Sequence, residues 1–382
     1  MPQWIMICFM KGRFRVVMPL GHRLLALLLH QCLRHASGRP VSPGPGQDGL
    51  LRMRQIEAGL EHEEGSQDVR ALVIGGCGFI GSHVVDVLHQ AGMGLRVLDR
   101  RPEAFRAPVP GVEYVYCDMQ DRAQLFEAVS GVDAVVHLAS TTVPATSNLD
   151  PVADVSGNLV TTLSLLEVMR AAGVRRMVYL SSGGTVYGVP QQDLVSEDHP
   201  LNPISSYGIV KVAVEKYLFM EHQLHGLEYV VLRASNPYGP RQGHRGIQGL
   251  IGTHLWRLSR QEEIEVWGDG SIVRDFLHVR DLAQLCLLAM TSGKSGIFNA
   301  GRGQGASVAE VVEQICATVA ASGGRSVAPI YKPGRNFDVP RVVLDTTRAR
   351  AELGWQAEIT LQDGIAETWD WVQAQARQQG QG

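Results

Sequence analysis

The chain has 382 residues, 35 Lys plus Arg against 38 Asp plus Glu, and a formal charge of −3. This length can bury a large core and fits one or two domains. The near balance of charge excludes the basic footprint of a nucleic-acid or lipid-headgroup binder, though a local phosphate site needs only a few placed residues.

Residues 1–68 are rich in Arg, Met, His, Pro and Gly and carry no sustained period. Leu24–Leu29 is apolar but far too short to span a bilayer. Lys11, Arg13 and Arg15 before it give only a faint export-signal pattern, with no convincing cleavage site. The segment is expected to be disordered, or to lie upstream of a start such as Met53, and Ser37–Gly49 has linker composition.

From Val69 short apolar runs alternate with amphipathic stretches. The runs are Ala71–Ile74, Leu95–Leu98, Tyr114–Tyr116, Ala134–Leu138, Met177–Leu180 and Tyr229–Leu232. Helical periodicity lies between them, over Gly81–Ala91, Arg122–Val129, Asn158–Ala172 and Tyr207–His225. Strands joined by crossover helices predict an α/β fold with a doubly wound parallel sheet and ligands at the carboxyl ends of its strands. After Pro237 the pattern loosens, with helices near Asp281–Thr291 and Ser307–Ala321. The expected organisation is a Rossmann-type dinucleotide domain over 69–236 and a smaller mixed α/β substrate lobe over 237–376. The six cysteines (Cys8, Cys32, Cys77, Cys117, Cys286, Cys316) show no CxxC pair. That argues against structural zinc or a disulfide framework and for a cytoplasmic protein.

The strand at Leu72–Ile74 runs straight into Gly75-Gly-Cys-Gly78-Phe79-Ile80-Gly81, and a helix begins at once. Glycines permit the tight turn and let backbone N–H groups approach a pyrophosphate at the helix N-terminus. The competing reading is a plain connecting turn, and the flanking strand and helix weigh against it. Asp99 ends the next apolar run, where a carboxylate accepts both adenosine ribose hydroxyls and repels a 2′-phosphate. NAD is therefore expected, although Arg100 and Arg101 follow and suit NADP. Asp118 stands at the end of the third run, in reach of adenine or as a surface turn residue.

Tyr207 and Lys211 are four apart on a predicted helix and so share a face. An ammonium beside a phenol favours phenolate; bringing a Tyr from about 10 to about 7 takes roughly 4 kcal/mol. A Tyr so placed can accept a proton near neutral pH. YxxxK alone is a common surface pair, but here it follows a dinucleotide motif and the fifth strand.

These residues, with His137-Leu138-Ala139, Asn158, Ser181–Gly188 (SSGGTVYG), Arg233–Pro240 (RASNPYGP) and Gly268–Val279, resemble the extended short-chain dehydrogenase/reductase family. The resemblance is strongest to its NAD-dependent sugar-nucleotide epimerases and dehydratases, and covers roughly Val69 to Trp371. It implies further NAD contacts from Phe79, Ile80, Met119, Leu138, Ala139 and Asn158. Asn236 and Arg274 are implied to hold the substrate diphosphate, and Arg335 and Asp338 the nucleotide phosphate and ribose. Arg offers a planar fork to phosphate and Asp accepts vicinal hydroxyls; an ion pair with Asp275 or Asp281 is the alternative for Arg274.

The chain departs from the family at one position. Where the family carries its catalytic Ser or Thr, this chain has Gly183. Ser182 and Thr185 are the nearest hydroxyls, Thr185 being favoured, and slower chemistry is expected. Dehydratases of the family need an Asp-Glu pair next, where this chain has Gly184 and Thr185, and its decarboxylases need Glu at the latter. Epimerisation needs no acid or base beyond Tyr207. The sequence therefore points to 4-epimerisation of a UDP-hexose or UDP-N-acetylhexosamine. The rival readings are an NAD-dependent nucleotide-sugar reductase and a non-catalytic NAD- and sugar-nucleotide-binding protein. Val342, four residues after Asp338, takes the place of a bulky aromatic in members restricted to small sugars, which leaves room for an acetamido group. Apolar residues on more than one face of the helices at 158–172 and 207–225, among them Val210, Val214, Leu218 and Leu224, imply a homodimer. No metal site, nucleic acid or membrane partner is expected.

Overall fold

The computed structural model describes residues 8–10, 13–15, 69–243, 249–325, 327–334 and 339–379. Two compact units divide at Gln67/Asp68. In the first, Cys8–Met10 and Arg13–Arg15 pair as a short antiparallel ladder.

Strands β1 (Arg70–Ile74), β2 (Gly94–Asp99), β3 (Glu113–Tyr116), β4 (Ala134–His137), β5 (Arg176–Ser182) and β6 (Glu228–Ala234) answer the six apolar runs one for one. Crossovers between them carry helices α1 (Phe79–Gln90), α2 (Arg122–Val129), short α3 (Pro144–Ser147) and α4 (Pro151–Asp154), α5 (Thr161–Ala172) and α6 (Ser206–His225). The sheet order is β3-β2-β1-β4-β5-β6, all parallel. The strand order reverses beside β1, and the loops after β1 and β4 part there to form a crevice.

Both sheet faces are buried, so successive strand residues serve opposite cores. Ala71, Val73, Val136, Val178 and Leu232 pack with Val84 and Leu88 of α1 on one side. Leu72, Ile74, Val135, Met177 and Val231 pack with Leu125, Leu165, Met169, Val214 and Leu218 on the other. Each such buried aliphatic side chain contributes roughly 1.5–3 kcal/mol. The continuous helix Pro151–Ala172 is long and apolar enough to cross a bilayer by composition alone, but its Leu165, Leu166, Val168 and Met169 are buried in this core.

The lobe expected over 237–376 is interleaved with the first layer. It contributes β7 (Asn236–Tyr238), α7 (Leu250–Ser259), β8 (Glu265–Trp267) and β9 (Val273–His278). The chain then returns: α8 (Val279–Thr291) places Leu282, Leu285 and Cys286 in the α1 core, and β10 (Gly296–Ala300) adds a seventh strand beside β6. After it come β11 (Gly305–Ser307), α9 (Val308–Ala321), β12 (Ile330–Lys332), β13 (Arg341–Val342), α10 (Thr347–Leu353) and α11 (Leu361–Gln379). β9 pairs with β7, β11 and β13, and a separate core forms around Ile251, Leu255, Trp256, Ile315, Ile365 and Trp369.

Candidate active site

The glycine loop forms where β1 meets α1. Gly75 takes φ +83° and its N–H donates to Leu98 O at 2.8 Å. A Cβ on Gly81 would stand 2.0 Å from Gly75 O, and one on Gly75 2.9 Å from Ala139 N. The backbone therefore closes on itself in a way only glycine permits. No side chain caps α1 at Gly78, which leaves its positive end to a ligand anion. Phe79 and Ile80 open that helix, half-buried. Leu138, its N–H on Ile74 O, packs toward the α1 core.

Asp99 sits at the last position of β2, as its place in the sequence predicts. Its Oδ2 accepts from Cys77 N at 3.1 Å and Oδ1 from Arg100 N at 2.7 Å, which fixes the carboxylate beside the glycine loop. From there a cleft runs past Gly75, Asp118, Met119, Ala139, Thr141 and Asn158 to Lys211. Asp118 lies two residues beyond the end of β3, in a turn where its Oδ1 accepts from Gln120 N at 2.9 Å. A groove with a glycine-walled, dipole-positive mouth and a carboxylate at the ribose position fits NAD.

At the far end of the cleft Lys211 is 5 % exposed. Its Nζ donates to Leu180 O at 2.8 Å and lies 4.7 Å from the Tyr179 ring centroid and 5.4 Å from that of Tyr207. The one-face geometry expected of the pair is thus present. Without NAD the chain's own groups leave both members of the pair shifted toward their neutral forms. Burial pushes the Tyr207 phenol up to about 12, and the Asp154 carboxylate adds to that. Burial also brings the Lys211 ammonium down to about 8, against the pull of Glu215 and Asp154. Desolvation is the largest cause of both shifts, and that cost depends on packing the sequence does not show.

One turn beyond Lys211, Glu215 accepts from Arg233 at both oxygens, at 3.1 and 2.7 Å, and from Ser181 Oγ at 2.6 Å. Arg233 also donates to Tyr187 OH, which donates to Asn299 Oδ1. This buried network anchors the segment that carries Ser182, Gly183 and Thr185. Ser182 is half-buried at the end of β5, and Thr185 Oγ1 is buried with no hydrogen-bond partner among the described residues.

Asn236 on β7 donates through Nδ2 to Asp275 O at 2.9 Å. Arg274, half-buried on β9, stands in register with Val342 on β13. Asp275 is engaged by the N–H groups of Arg302, Gly303 and Leu344. Val342 is 4 % exposed and packs with Val186, Tyr187, Val195 and Leu344 behind the SSGGTVYG segment. Arg335 and Asp338 lie outside the described residues. Sequence reasoning missed Tyr179, which lines the cleft under Lys211, and Asp154. The second had a signal: it precedes Asn158 by four residues, one helical turn.

The profile of the NAD dependent epimerase/dehydratase family matches residues 71–301. The chain belongs to this family. It is 37 % identical over 309 residues to the UDP-glucose 4-epimerase of Mycolicibacterium smegmatis, covering 78 % of this chain and 97 % of that one. Among solved structures of the family's epimerases, Thermus thermophilus UDP-glucose 4-epimerase in complex with NAD superposes with a TM-score of 0.72. It is 35 % identical and covers 79 % of this chain and 98 % of its own. UDP-N-acetylglucosamine 4-epimerase from Methanobrevibacter ruminantium, in complex with UDP-N-acetylmuramic acid, gives 0.75 at 25 % identity, covering 81 % and 99 %.

Proposed function

We propose that this family member is an NAD-dependent 4-epimerase of UDP-hexoses or UDP-N-acetylhexosamines. One observation carries the reading: the cleft that starts at the glycine loop and Asp99 ends at Lys211, with Tyr207 beside it. Gly75, Gly78, Gly81, Phe79, Ile80, Met119, Leu138, Ala139 and Asn158 surround the cofactor, and Asp99 holds its adenosine ribose. When bound, NAD supplies a hydride acceptor and donor for C4 and a positive ring that favours phenolate. Tyr207 Oη takes the proton from the sugar O4 hydroxyl and returns it after the keto sugar has turned over. Lys211 steadies the phenolate as a cation held against Leu180 O. Thr185 is the hydroxyl assigned to replace the one Gly183 lacks; its Oγ1 has no hydrogen-bond partner among the described residues and turns outward to meet the sugar.

Asn236, Arg274, Arg335 and Asp338 anchor the UDP moiety, and the sugar beyond it is held loosely enough to rotate. Positions 184 and 185 hold Gly and Thr, which supplies no second acid or base for dehydration or decarboxylation. An epimerase returns its hydride each cycle, so the protein as purified should retain NAD and turn over without added cofactor. Dependence on stoichiometric reduced cofactor would point instead to a reductase.

The working unit in this reading is a cytoplasmic homodimer. Free, buried Cys77, Cys117 and Cys286 suit a reducing compartment. Of the residues that the sequence pattern assigns to a second apolar face, Val210, Val214 and Leu218 point into the core and Leu224 points out. The outward apolar set is Ile209, Phe219, Met220 and Leu224 on α6, with Val152, Val155 and Val160 on the preceding helix. A second copy covering that set accounts for its exposure.

A further inference from the structure

Asp154 closes α4 and is wholly buried, yet it is a carboxylate. Its Oδ2 accepts from Ser206 Oγ at 2.6 Å. Its Oδ1 accepts from Thr142 Oγ1 at 2.5 Å and from Asn158 Nδ2 at 2.8 Å. Three donors on three separate segments converge on one buried anion, the arrangement that makes such a charge tolerable.

The segments are the ones that must be kept in register. Ser206 opens α6, and Tyr207 follows it. That helix end is also held by Asn148, which accepts from Ser206 N at 2.8 Å, and by Ser147, which accepts from Tyr207 N at 3.1 Å. Asn158 lies in a π-helical turn, Val155–Val160, in the wall of the cleft. Such turns are rare and collect at functional sites. The turn rotates Asn158 so that Oδ1 accepts from Thr141 N at 2.8 Å while Nδ2 reaches back to Asp154. Thr142 belongs to the loop after β4, which forms the other side of the cleft.

We propose that Asp154 is a positioning residue that ties the N-terminus of the Tyr207 helix to the Asn158 turn and the Thr141–Thr142 loop, so that the proton-transfer group and the cofactor cradle move as one body. The inference rests on the 4-epimerase reading for what Tyr207 does, but not for the tie itself. Asp154 acts through Ser206 and Asn158, and its charge is also felt at the site. It opposes phenolate formation at Tyr207 and favours the ammonium at Lys211. The other groups facing the pair are Tyr179 on β5, His137 on β4 and Glu215 on α6. His137 is fully buried and held neutral, at about 3, so it brings no competing charge near neutral pH.

Two variants separate the tie from the charge. Ser206→Ala cuts the link to α6 and leaves the anion in place. Asp154→Asn removes the anion with little change of shape. Tyrosinate absorbance of the NAD-loaded protein from pH 8 to 12, a range set by a phenol that burial raises and the nicotinamide ring lowers, reads the Tyr207 midpoint without any substrate once the Tyr207→Phe signal is subtracted. Asp154→Asn should lower that midpoint by about one pH unit, while Ser206→Ala leaves it in place. Ser206→Ala should lower kcat on the order of tenfold at near-constant KM, since a small displacement of the base is costly and Ser206 does not face the nucleotide; Asp154→Asn, which keeps the shape and removes a charge opposing phenolate, should lower it less. Should Asp154→Asn not fold, as a melting curve will tell, Ser206→Ala carries the test through its kcat alone. An unmoved midpoint in folded Asp154→Asn, or wild-type kcat in Ser206→Ala, overturns the proposal. Wild-type protein that inverts no UDP-sugar overturns the assigned reaction instead, and the absorbance titration still judges Asp154.

Discussion

Leu344 fills the space in which a side chain at position 183 would stand: a Cβ built on Gly183 lies 2.5 Å from Leu344 Cδ1 and 2.9 Å from Arg233 O. The glycine is therefore matched to its surroundings. From sequence alone, restoring the family hydroxyl by Gly183→Ser is expected to hold or raise activity. That expectation holds only if the missing hydroxyl limits the rate, and the packing adds a cost in stability. Gly183→Ser alone should lower the melting temperature, the overpacking being worth about 1–3 kcal/mol. Leu344→Ala in the same chain should recover part of that loss. Melting curves of the single and double variants decide it: a Gly183→Ser protein as stable as wild type contradicts the packing.

Tyr207→Phe should cost on the order of 100-fold in kcat, as for a lost general base, and leave NAD bound. Because burial raises this phenol, activity should climb with pH on the acid side, the deprotonated base being the working form. A flat pH profile with near-normal turnover of Tyr207→Phe would remove Tyr207 from the proton-transfer role.

Asp99 is fastened by Cys77 N and Arg100 N and cannot swing away from a 2′-phosphate. NAD should bind at least about tenfold tighter than NADP, or roughly 1.4 kcal/mol. Asp99→Asn should narrow the gap, since it removes the repelling charge. Calorimetry with both cofactors checks this, and equal affinities in the wild-type protein would assign the pocket to Arg100 or Arg101.

Val342 stands opposite Arg274 in the sheet and is packed against Val186 and Tyr187. Val342→Tyr forces a ring into that buried cluster, so it should lower the melting temperature, overpacking costing about 1–3 kcal/mol, as well as abolish turnover of UDP-N-acetylhexosamines. Competition kinetics on wild-type protein come first: UDP-N-acetylglucosamine that is neither turned over nor inhibitory at millimolar concentration contradicts the assigned room.

Local signals were the legible ones. Six strands, the glycine turn, Asp99 and the Tyr207–Lys211 pair each depend on neighbours within a few residues, where period and spacing carry the information. What the sequence hid was set by distant partners. Nothing near Gly183 tells of Leu344, and nothing before Gly296 tells that it begins a strand beside β6. The raised Tyr207 phenol in the cofactor-free chain follows from desolvation and the Asp154 charge, which neighbouring residues in the sequence do not reveal. Asp154 reads as one more acid on an amphipathic helix, because only Asn158 is a local donor to it while Thr142 and Ser206 come from distant segments.

The proposed activity is inversion at C4 of a UDP-linked sugar. Purified protein with its retained NAD, incubated with UDP-glucose, UDP-galactose and their N-acetylated counterparts and followed by proton NMR, tests it most directly. At least one pair should approach the same equilibrium mixture from both directions without added cofactor. Unchanged spectra for all four sugars, from protein shown to be folded and NAD-loaded, would contradict it.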